Sequence, residues 1–295
     1  MAKPRELRRR IKSVQSTRKI TKTMELVATS KLKRAQDRVI AARPYAAALA
    51  DVIGDLYAPE LAERFPLLRQ PARDGHGRRV ALVVITANRG LCGAFNANLI
   101  REARRRIEQL EAEGAGVDLH LIGKKGITYF KFAKRAAASQ RTDIGDKPNP
   151  SHAAEVVGPL MTQFASGALD AVEVVFAQFK SAVSTPPTTL RILPITAPRA
   201  TDPGRKPGDA FYILQPSAEA ILEQLLPLYV RNQLYRALVE TAAAFLGAQR
   251  TAMKNATDNA GEIIELLQRT YNRARQAQIT QELAEIVGGA EALKG

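Results

Sequence analysis

The sequence predicts an α/β plus α fold, in which a long antiparallel coiled coil of N- and C-terminal helices accompanies a central Rossmann-like open-sheet domain. Three observations support this prediction. Residues 217–287 contain one proline, Pro227, and repeat apolar or small residues at steps that are mostly three or four, which is typical of a helix. Residues 1–50 carry a second stripe of this kind, and residues 79–196 alternate between strand-like and helix-like segments.

The length of the C-terminal helix explains why a second helix is expected beside it. At a rise of ~1.5 Å per residue, seventy helical residues would extend roughly 105 Å, whereas a small domain covers about 30 Å. The N-terminal helix is the nearest candidate partner, and two such stripes predict an antiparallel coiled coil. The N-terminal stripe consists of Leu7, Ile11, Val14, Thr17, Ile20, Met24, Val27, Ala35 and Val39. The C-terminal stripe consists of Leu228, Tyr235, Ala242, Leu246, Ala252, Ala256, Ala260, Ile263, Leu267, Ala274 and Ala277.

The N-terminal helix has clear limits in the sequence. Pro4 suits its first turn, where a missing N–H costs nothing, and no glycine occurs before Arg43. Pro44 is expected to kink or briefly interrupt the helix before it continues towards Tyr57. Residues 60–78 are rich in proline and glycine and mark the boundary to a different domain.

The central segment predicts an open sheet. Strands are expected at residues 80–86, 117–122, 171–179 and 188–195, and helices at residues 96–113, 124–137 and 151–169, with Ser151 as N-cap. Residues 184–187 predict a hairpin, and residues 210–214 a last short strand. Strands separated by helices predict a parallel sheet, to which the hairpin adds antiparallel strands at one side. The expected domains are residues 1–57, 58–216 and 217–295.

The charge is distributed unevenly along the chain. The 295 residues carry a formal net charge of +15. Residues 1–43 hold fourteen Lys or Arg and three acidic residues, a net charge of +11, whereas the C-terminal helix is nearly neutral. A basic helix beside a neutral one predicts an acidic partner near the first helix.

Other compositional features exclude several classes. No run of about eighteen uncharged apolar residues is present, so no membrane-spanning helix is predicted. The basic start lacks the apolar stretch of a secretory signal. Cys92 is the single cysteine, which excludes an internal disulfide and a multi-cysteine metal site and fits a reducing compartment.

The loops of the central domain do not match known phosphate-binding motifs. Residues 88–93 (NRGLCG) follow the first strand, but they contain two glycines and not the three of a dinucleotide fingerprint. Residues 123–126 (GKKG) lack the upstream glycine and the hydroxyl of a Walker-type loop. These glycines are therefore predicted to serve tight turns.

Residues that could perform chemistry are few. His76, His120 and His152 are too scattered to predict a zinc site. Cys92 beside Arg89 is open to two interpretations, a thiol with a lowered pKa or a packed side chain, and packing is the commoner outcome. Glu282 and Glu285 lie three apart on a helix, where they are expected to be solvated. No catalytic residue, cofactor or metal is predicted.

The basic helix therefore indicates binding, and three interpretations remain open from the residues alone. A nucleic acid would be bound through phosphate neutralisation, but no aromatic residues are interleaved for base stacking. An acidic protein partner is the second interpretation. A solvated helix face without a partner is the third.

Four sequence segments narrow this choice. Residues 10–31, residues 88–96 (NRGLCGAFN), residues 253–260 (MKNATDNA) and residues 271–290 (YNRARQAQITQELAEIVGGA) strongly resemble the gamma subunit of F-type ATP synthase. The resemblance covers the whole chain in the same order. Its most specific part is residues 279–290.

The resemblance implies a central rotor shaft. In this family the terminal helices project into a ring of three alpha and three beta subunits, and the α/β domain binds the epsilon subunit and the c-subunit ring. Ion flow turns the c ring, and the shaft then drives and regulates the catalytic sites without catalysing the reaction itself. The implied location is peripheral, on the cytoplasmic face of the bacterial inner membrane.

The resemblance also implies the residues that contact other subunits. Lys22, Met24, Lys31 and Lys33 match the part of the shaft that faces an acidic beta loop. Residues 283–293 match the tip that turns inside an apolar sleeve. A further set matches the upper contact region, namely Arg275, Gln276, Thr280 and Glu282.

Three features depart from the family pattern. Pro227 lies inside the C-terminal helix and leaves its start open by about ten residues. The cysteine pair of the thiol-regulated chloroplast version is absent. Residues 200–215 match least well.

Overall fold

The computed structural model describes residues 4–56, 64–70, 77–196 and 217–292. The helices are α1 (Pro4–Leu56), α2 (Phe95–Ala112), α3 (Lys124–Phe132), α4 (Pro150–Ala165) and α5 (Ala218–Ala292), with a short 3₁₀ helix at Pro66–Leu68. The strands are β1 (Arg79–Ile85), β2 (Gly116–Ile122), β3 (Ser139–Arg141), β4 (Ala171–Ala177) and β5 (Pro187–Leu193). This arrangement confirms the predicted fold class.

The described chain divides into two compact units. Residues 1–28 and 250–295 form the first unit, and residues 29–249 form the second. The first unit therefore contains the beginning of α1 and the end of α5, while the sheet and its helices belong to the second unit.

The five strands form one sheet in the order β3-β2-β1-β4-β5. β1 pairs in parallel with β2 and with β4, β2 pairs in parallel with β3, and β4 pairs antiparallel with β5. The prediction of a parallel sheet with a hairpin at one side is thus confirmed. β3 was not expected, because three polar residues carry no strand pattern.

Helices cover both faces of the sheet, so the central strand β1 is buried from Val80 to Ile85. Successive side chains of a strand point to opposite faces. Ala81, Val83 and Ile85 pack with α4, the end of α1 and the beginning of α5. Leu82 and Val84 pack with α2, α3, an earlier part of α1 (residues 32–39) and a later part of α5 (residues 239–246). Burial on both faces explains the continuous apolar run in the sequence.

Several predicted boundaries shift in the structure. Pro44 lies inside α1 without interrupting it, and α5 begins at Ala218 with Pro227 inside the helix. α3 ends at Phe132 and not at residue 137. The N-cap of α4 is Asn149, whose backbone N–H donates to Nδ1 of His152 at 3.2 Å, so the prediction of Ser151 was wrong. The strand expected at residues 210–214 lies outside the described residues.

Gly123 shows why a glycine is needed at the start of α3. Its φ is +97°, and an added Cβ would lie 2.1 Å from the carbonyl oxygen of Thr86. The Thr86 hydroxyl in turn accepts the N–H of Gly126 at 2.9 Å. The prediction that this glycine serves a tight turn is confirmed.

Candidate functional site: an interaction surface on the terminal helices

In the first unit, the beginning of α1 and the end of α5 pack antiparallel along a seam of heptad spacing. The contact positions follow heptad spacing, with alternating steps of four and three on α5 and steps of four, three and seven on α1, which is coiled-coil spacing. On α1 they include Leu7, Ile11, Val14, Thr21 and Ala28, and Met24 and Glu25 between them are also half-buried. On α5 they include Met253, Thr257, Ala260, Ile264, Leu267, Tyr271 and Ala274, flanked by half-buried residues at 252, 256 and 261. The predicted antiparallel pairing is therefore present in this unit.

The phase of both predicted stripes was partly wrong. Ile20 and Val27 are 61% and 50% exposed, and Thr21 and Ala28 are buried in their place. On α5, Ile263 is 47% exposed while Ile264 is buried, and Ala277 is exposed. On α1 the prediction placed three steps of three in a row, from Ile11 to Ile20, whereas the buried or half-buried positions 14, 21 and 28 lie seven residues apart.

A polar pair sits inside this seam. The Thr257 hydroxyl donates to the Thr21 hydroxyl at 2.8 Å, and both side chains are buried. Near them, an added Cβ on Gly261 would lie 3.7 Å from the Arg18 guanidinium carbon. A polar residue in a coiled-coil seam favours one register, since slippage would leave its hydrogen-bonding group unpaired. The pair therefore fixes which turns of the two helices meet.

The four α1 residues predicted to contact another subunit differ from one another in exposure and in ion pairing. Lys22 is exposed and pairs with Glu25 at 3.1 Å, and Met24 is half-buried. In the second unit, the Lys33 side chain is 75% exposed and its Nζ lies 3.0 Å from a carboxylate oxygen of Asp37. Lys31 keeps 39% of its side chain exposed. All four remain accessible in part to a partner.

The end of α5 continues past α1. Extending the antiparallel register from the Thr21–Thr257 pair places the first turn of α1 level with Ala274. Every residue from 275 to 290 is exposed. Four of these are large apolar residues, Ile279, Leu283, Ile286 and Val287. They lie on a single helix, and each of them stays 48–68% exposed within the described part of the chain.

The remaining predicted residues lie on this single-helix segment. Arg275, Gln276 and Thr280 are exposed. Glu282 accepts a hydrogen bond from the Gln278 amide at 2.8 Å, and Glu285 accepts one from Gln281 at 3.0 Å. Each carboxylate therefore has a neighbour one turn earlier, and the two form no shared site.

The carboxyl edge of the sheet, where a nucleotide would lie in an open α/β fold, is filled by α5. Leu238, Thr241 and Phe245 line the space beside the ends of β1 and β2, which leaves a cavity of about 40 Å³. The Thr241 hydroxyl accepts the backbone N–H of Ala177 at 3.3 Å. A nucleotide needs several hundred Å³, so α5 occupies this position in its place.

Cys92 is packed and not activated. Its side chain is buried, and the Asn96 amide nitrogen lies 3.2 Å from Sγ. Burial raises the pKa of the Cys92 thiol and outweighs the lowering by Asn96 and by the charge of Lys125. The hypothesis of a thiol with a lowered pKa was wrong, because desolvation of the thiolate dominates.

The sequence did not predict the ion pairs of two acidic residues in the second unit, Asp146 and Glu173. Asp146 pairs with Arg89 and lies 3.7 Å from the Lys31 ammonium group, while its carbonyl oxygen accepts from Arg38 at 3.4 Å. Glu173 is buried between Arg106 and Arg191. Such pairs join positions far apart in sequence, and no local pattern identifies them.

No group of three or more His, Cys, Asp or Glu is arranged to hold a metal ion in the described part of the chain. None of the described helices is both long and apolar enough to cross a membrane.

Comparison with known proteins identifies the family. A family model described as ATP synthase matches residues 3–293. The ATP synthase gamma chain of Gemmatimonas aurantiaca is 63% identical over 295 residues, covering 100% of both chains. The ATP synthase gamma chain of Moorella thermoacetica is 45% identical over 294 residues, again with 100% of both chains.

Solved structures agree in fold. A chain in the mitochondrial ATP synthase of Euglena gracilis, a structure of OSCP, F1 and c-ring, matches with a TM-score of 0.66 at 19% identity, covering 98% of this chain and 94% of that chain. A chain from the central stalk and c-ring structure of Tetrahymena thermophila mitochondrial ATP synthase matches with a TM-score of 0.57 at 22% identity, covering 80% and 99%. On the full-length match and these identities, the chain belongs to the ATP synthase gamma-chain family.

Proposed function

We propose that this chain is the central rotor shaft of an F-type ATP synthase, which couples ion-driven rotation of a c-subunit ring to conformational changes in a ring of three alpha and three beta subunits. The observation that carries the proposal is the first unit. There α1 and α5 form a two-helix coiled coil with a polar register pair, and α5 continues as a single exposed helix over residues 275–290. Family membership supplies the partners.

The single-helix end of α5 is proposed to turn inside the alpha/beta ring. Its apolar residues Ile279, Leu283 and Ile286 are 48–68% exposed within the described chain. A surrounding apolar sleeve would remove these side chains from water. A single helix has no exposed sheet edge through which it could bind the sleeve permanently. Arg275, Gln276, Thr280 and Glu282 are proposed to meet a beta-subunit loop through polar contacts.

The basic face of α1 is proposed to meet an acidic loop of the beta subunit. Lys22 and Lys33 hold their charges at the surface, in pairs one turn long with Glu25 and Asp37. The exposed Lys33–Asp37 pair contributes little to stability, so a partner carboxylate can replace Asp37 at small cost, and the Lys22 side chain keeps 55% of its surface exposed beside Glu25. Met24 and Lys31 complete the proposed contact. Long-range attraction without a buried ion pair permits a moving contact.

The second unit is proposed as the foot, which binds the epsilon subunit and the c-subunit ring, so that the chain is peripheral to the membrane through the complex. The proposed location is the cytoplasmic face of the bacterial inner membrane. We propose three functional parts, an N-terminal shaft helix (residues 1–57), the foot (58–216) and a C-terminal shaft helix (217–295). The chain is proposed to be non-catalytic, since α5 fills the carboxyl edge of the sheet.

Reconstitution tests this function. Purified alpha and beta subunits are mixed with the full chain or with a variant that lacks residues 276–295, and co-elution and ATP hydrolysis are measured. The full chain should join the ring and raise its ATPase activity, while showing no hydrolysis alone. The shortened chain should assemble more weakly. Failure of the full chain both to assemble and to activate the ring would refute the proposal.

The surface charges have their own test. Lys22→Gln combined with Lys33→Gln should weaken assembly more at low salt than at high salt, because exposed charges are screened. Lys254→Gln, an exposed lysine of α5 outside the proposed contact, is the matched control. Equal effects of the two changes would contradict the assignment of this face. Retention of duplex DNA at ~0.15 M salt would instead favour a nucleic-acid-binding function.

A further inference from the structure

Within the second unit, α1, α4 and α5 enclose a groove with a cavity of about 600 Å³. This volume lies in the range of sites for small organic ligands, about 300–1,000 Å³. None of the residues that line the groove belongs to residues 275–290 or to the four α1 residues proposed to meet a beta subunit. Its lining comes from three helices, of which α1 and α5 each contribute an arginine and a tyrosine.

The wall from α1 presents Arg38, Ala41, Ala42 and Tyr45. These positions are spaced i, i+3, i+4 and i+7, so they form one helical face. The small side chains of the two alanines leave room for the groove, and Arg38 and Tyr45 lie on either side of them along the helix. The Arg38 guanidinium donates only to two backbone carbonyls, those of Arg34 and Asp146, at 3.3 and 3.4 Å. It forms no ion pair with a carboxylate among the described residues.

The wall from α5 repeats this arrangement with Leu228, Arg231, Asn232 and Tyr235. The spacing is again i, i+3, i+4 and i+7. Arg231 is exposed and has no hydrogen-bonding or ionic partner among the described residues. Leu228 and the ring of Tyr235 supply apolar surface beside it. Each long wall therefore combines one arginine without a carboxylate partner with one aromatic ring.

The third wall is the first turn of α4, with Pro150, Ser151 and Ala154. It adds the Ser151 hydroxyl and further apolar surface. None of the described residues that line the groove is acidic. The groove thus joins apolar surface and aromatic rings to two arginines that form no ion pair among the described residues.

We propose that this groove binds a small organic anion, whose carboxylate, sulfonate or phosphate pairs with Arg38 and Arg231 while its ring or short apolar body lies between Tyr45 and Tyr235. Charge complementarity carries the proposal. Guanidinium groups bind carboxylates and phosphates through paired hydrogen bonds, and tyrosine rings bury apolar groups at little entropic cost. Because three helices contribute, occupancy would hold α1, α4 and α5 together and raise the melting temperature of the chain.

The test uses the full chain and the fluorescent anion 1-anilinonaphthalene-8-sulfonate. Saturable binding at one site is expected, with N-phenyl-1-naphthylamine, its uncharged analogue, binding about tenfold or more weakly. Arg231→Gln should weaken binding of the anion by about tenfold but leave the analogue unaffected. Arg43→Gln, an exposed arginine of α1 outside the groove, is the matched control and should leave both unchanged.

Filling the groove provides the second arm. Ala42→Phe and, from a different helix, Ala154→Leu should each abolish saturable binding, while circular dichroism verifies that the variants fold. Arg231 makes no hydrogen bond or ion pair with the part of the chain that the structure describes, so Arg231→Gln should melt at the wild-type temperature without ligand. Absence of saturable binding to the wild-type chain, equal affinity for the uncharged analogue, or undiminished binding by both filled variants would each overturn the proposal.

Discussion

Glu173 provides the sharpest prediction about stability. This carboxylate on β4 is 2% exposed and lies between two arginines. The Arg106 guanidinium donates to both of its oxygens at 2.6 and 2.8 Å, and Arg191 donates twice to Oε1 at 3.0 and 3.1 Å. Removing one partner from a buried ion pair costs about 3–5 kcal/mol, since the other charge stays desolvated. Glu173→Ala should therefore lower the free energy of unfolding by about 3–5 kcal/mol.

Glu173→Gln keeps the shape and one acceptor oxygen but removes the charge. Each charge-assisted hydrogen bond contributes about 1.5–3 kcal/mol. Because glutamine keeps one acceptor, the loss in the free energy of unfolding should be smaller than for alanine. Urea unfolding of the full chain, followed by circular dichroism, measures both variants. The control is Glu108→Gln, because Glu108 is 66% exposed and lies 3.4 Å from Arg104. This exposed pair should contribute under ~1 kcal/mol.

The same site predicts a pH dependence. Burial by itself would raise the pKa of Glu173, but hydrogen bonds and charges from Arg106 and Arg191 outweigh it and hold the pKa below its usual range. The stabilisation is thus fully present above the carboxyl pKa of the unfolded chain and is lost as the pH falls through the lower, folded pKa. The difference in the free energy of unfolding between wild type and Glu173→Gln should therefore become smaller in acid. The reasoning would be refuted if Glu173→Gln lowered the free energy of unfolding by no more than Glu108→Gln does. It would also be refuted if the loss caused by Glu173→Gln became larger in acid.

Three further predictions concern packing and reactivity. Gly247→Ala should destabilise the chain by about 1–3 kcal/mol, since the new Cβ would lie 2.9 Å from the Ala182 carbonyl oxygen. The control is Gly288→Ala, on the same helix with open space around it. This variant should be neutral or slightly stabilising in thermal melts. Thr257→Val should cost about 1 kcal/mol through loss of the buried hydroxyl pair, and an unchanged melting temperature would contradict the proposed register role. Cys92 should react with a disulfide reagent at pH 7 only after denaturation, because burial protects it and raises its pKa; rapid reaction of the native chain would disprove this.

The sequence by itself determined the kinds of element in this protein. Apolar residues at steps of three and four identified the two terminal helices, and the continuous run of residues 80–86 identified a strand buried on both faces. Alternation of strands and helices identified the parallel sheet. These signals are local, because one face of each element must be apolar whatever its partner is. The segment at residues 279–290 identified the family.

Only the tertiary structure decided which side chains meet. Adjacent helical residues lie about 100° apart, so the choice of Thr21 over Ile20, or Ile264 over Ile263, depends on where the partner helix lies. The Glu173 and Asp146 ion pairs likewise join distant segments, and so does the packing of α5 into the carboxyl edge of the sheet. Periodicity fixes that a helix has a buried face; the rotation of that face is set by long-range packing, which no single segment of sequence contains.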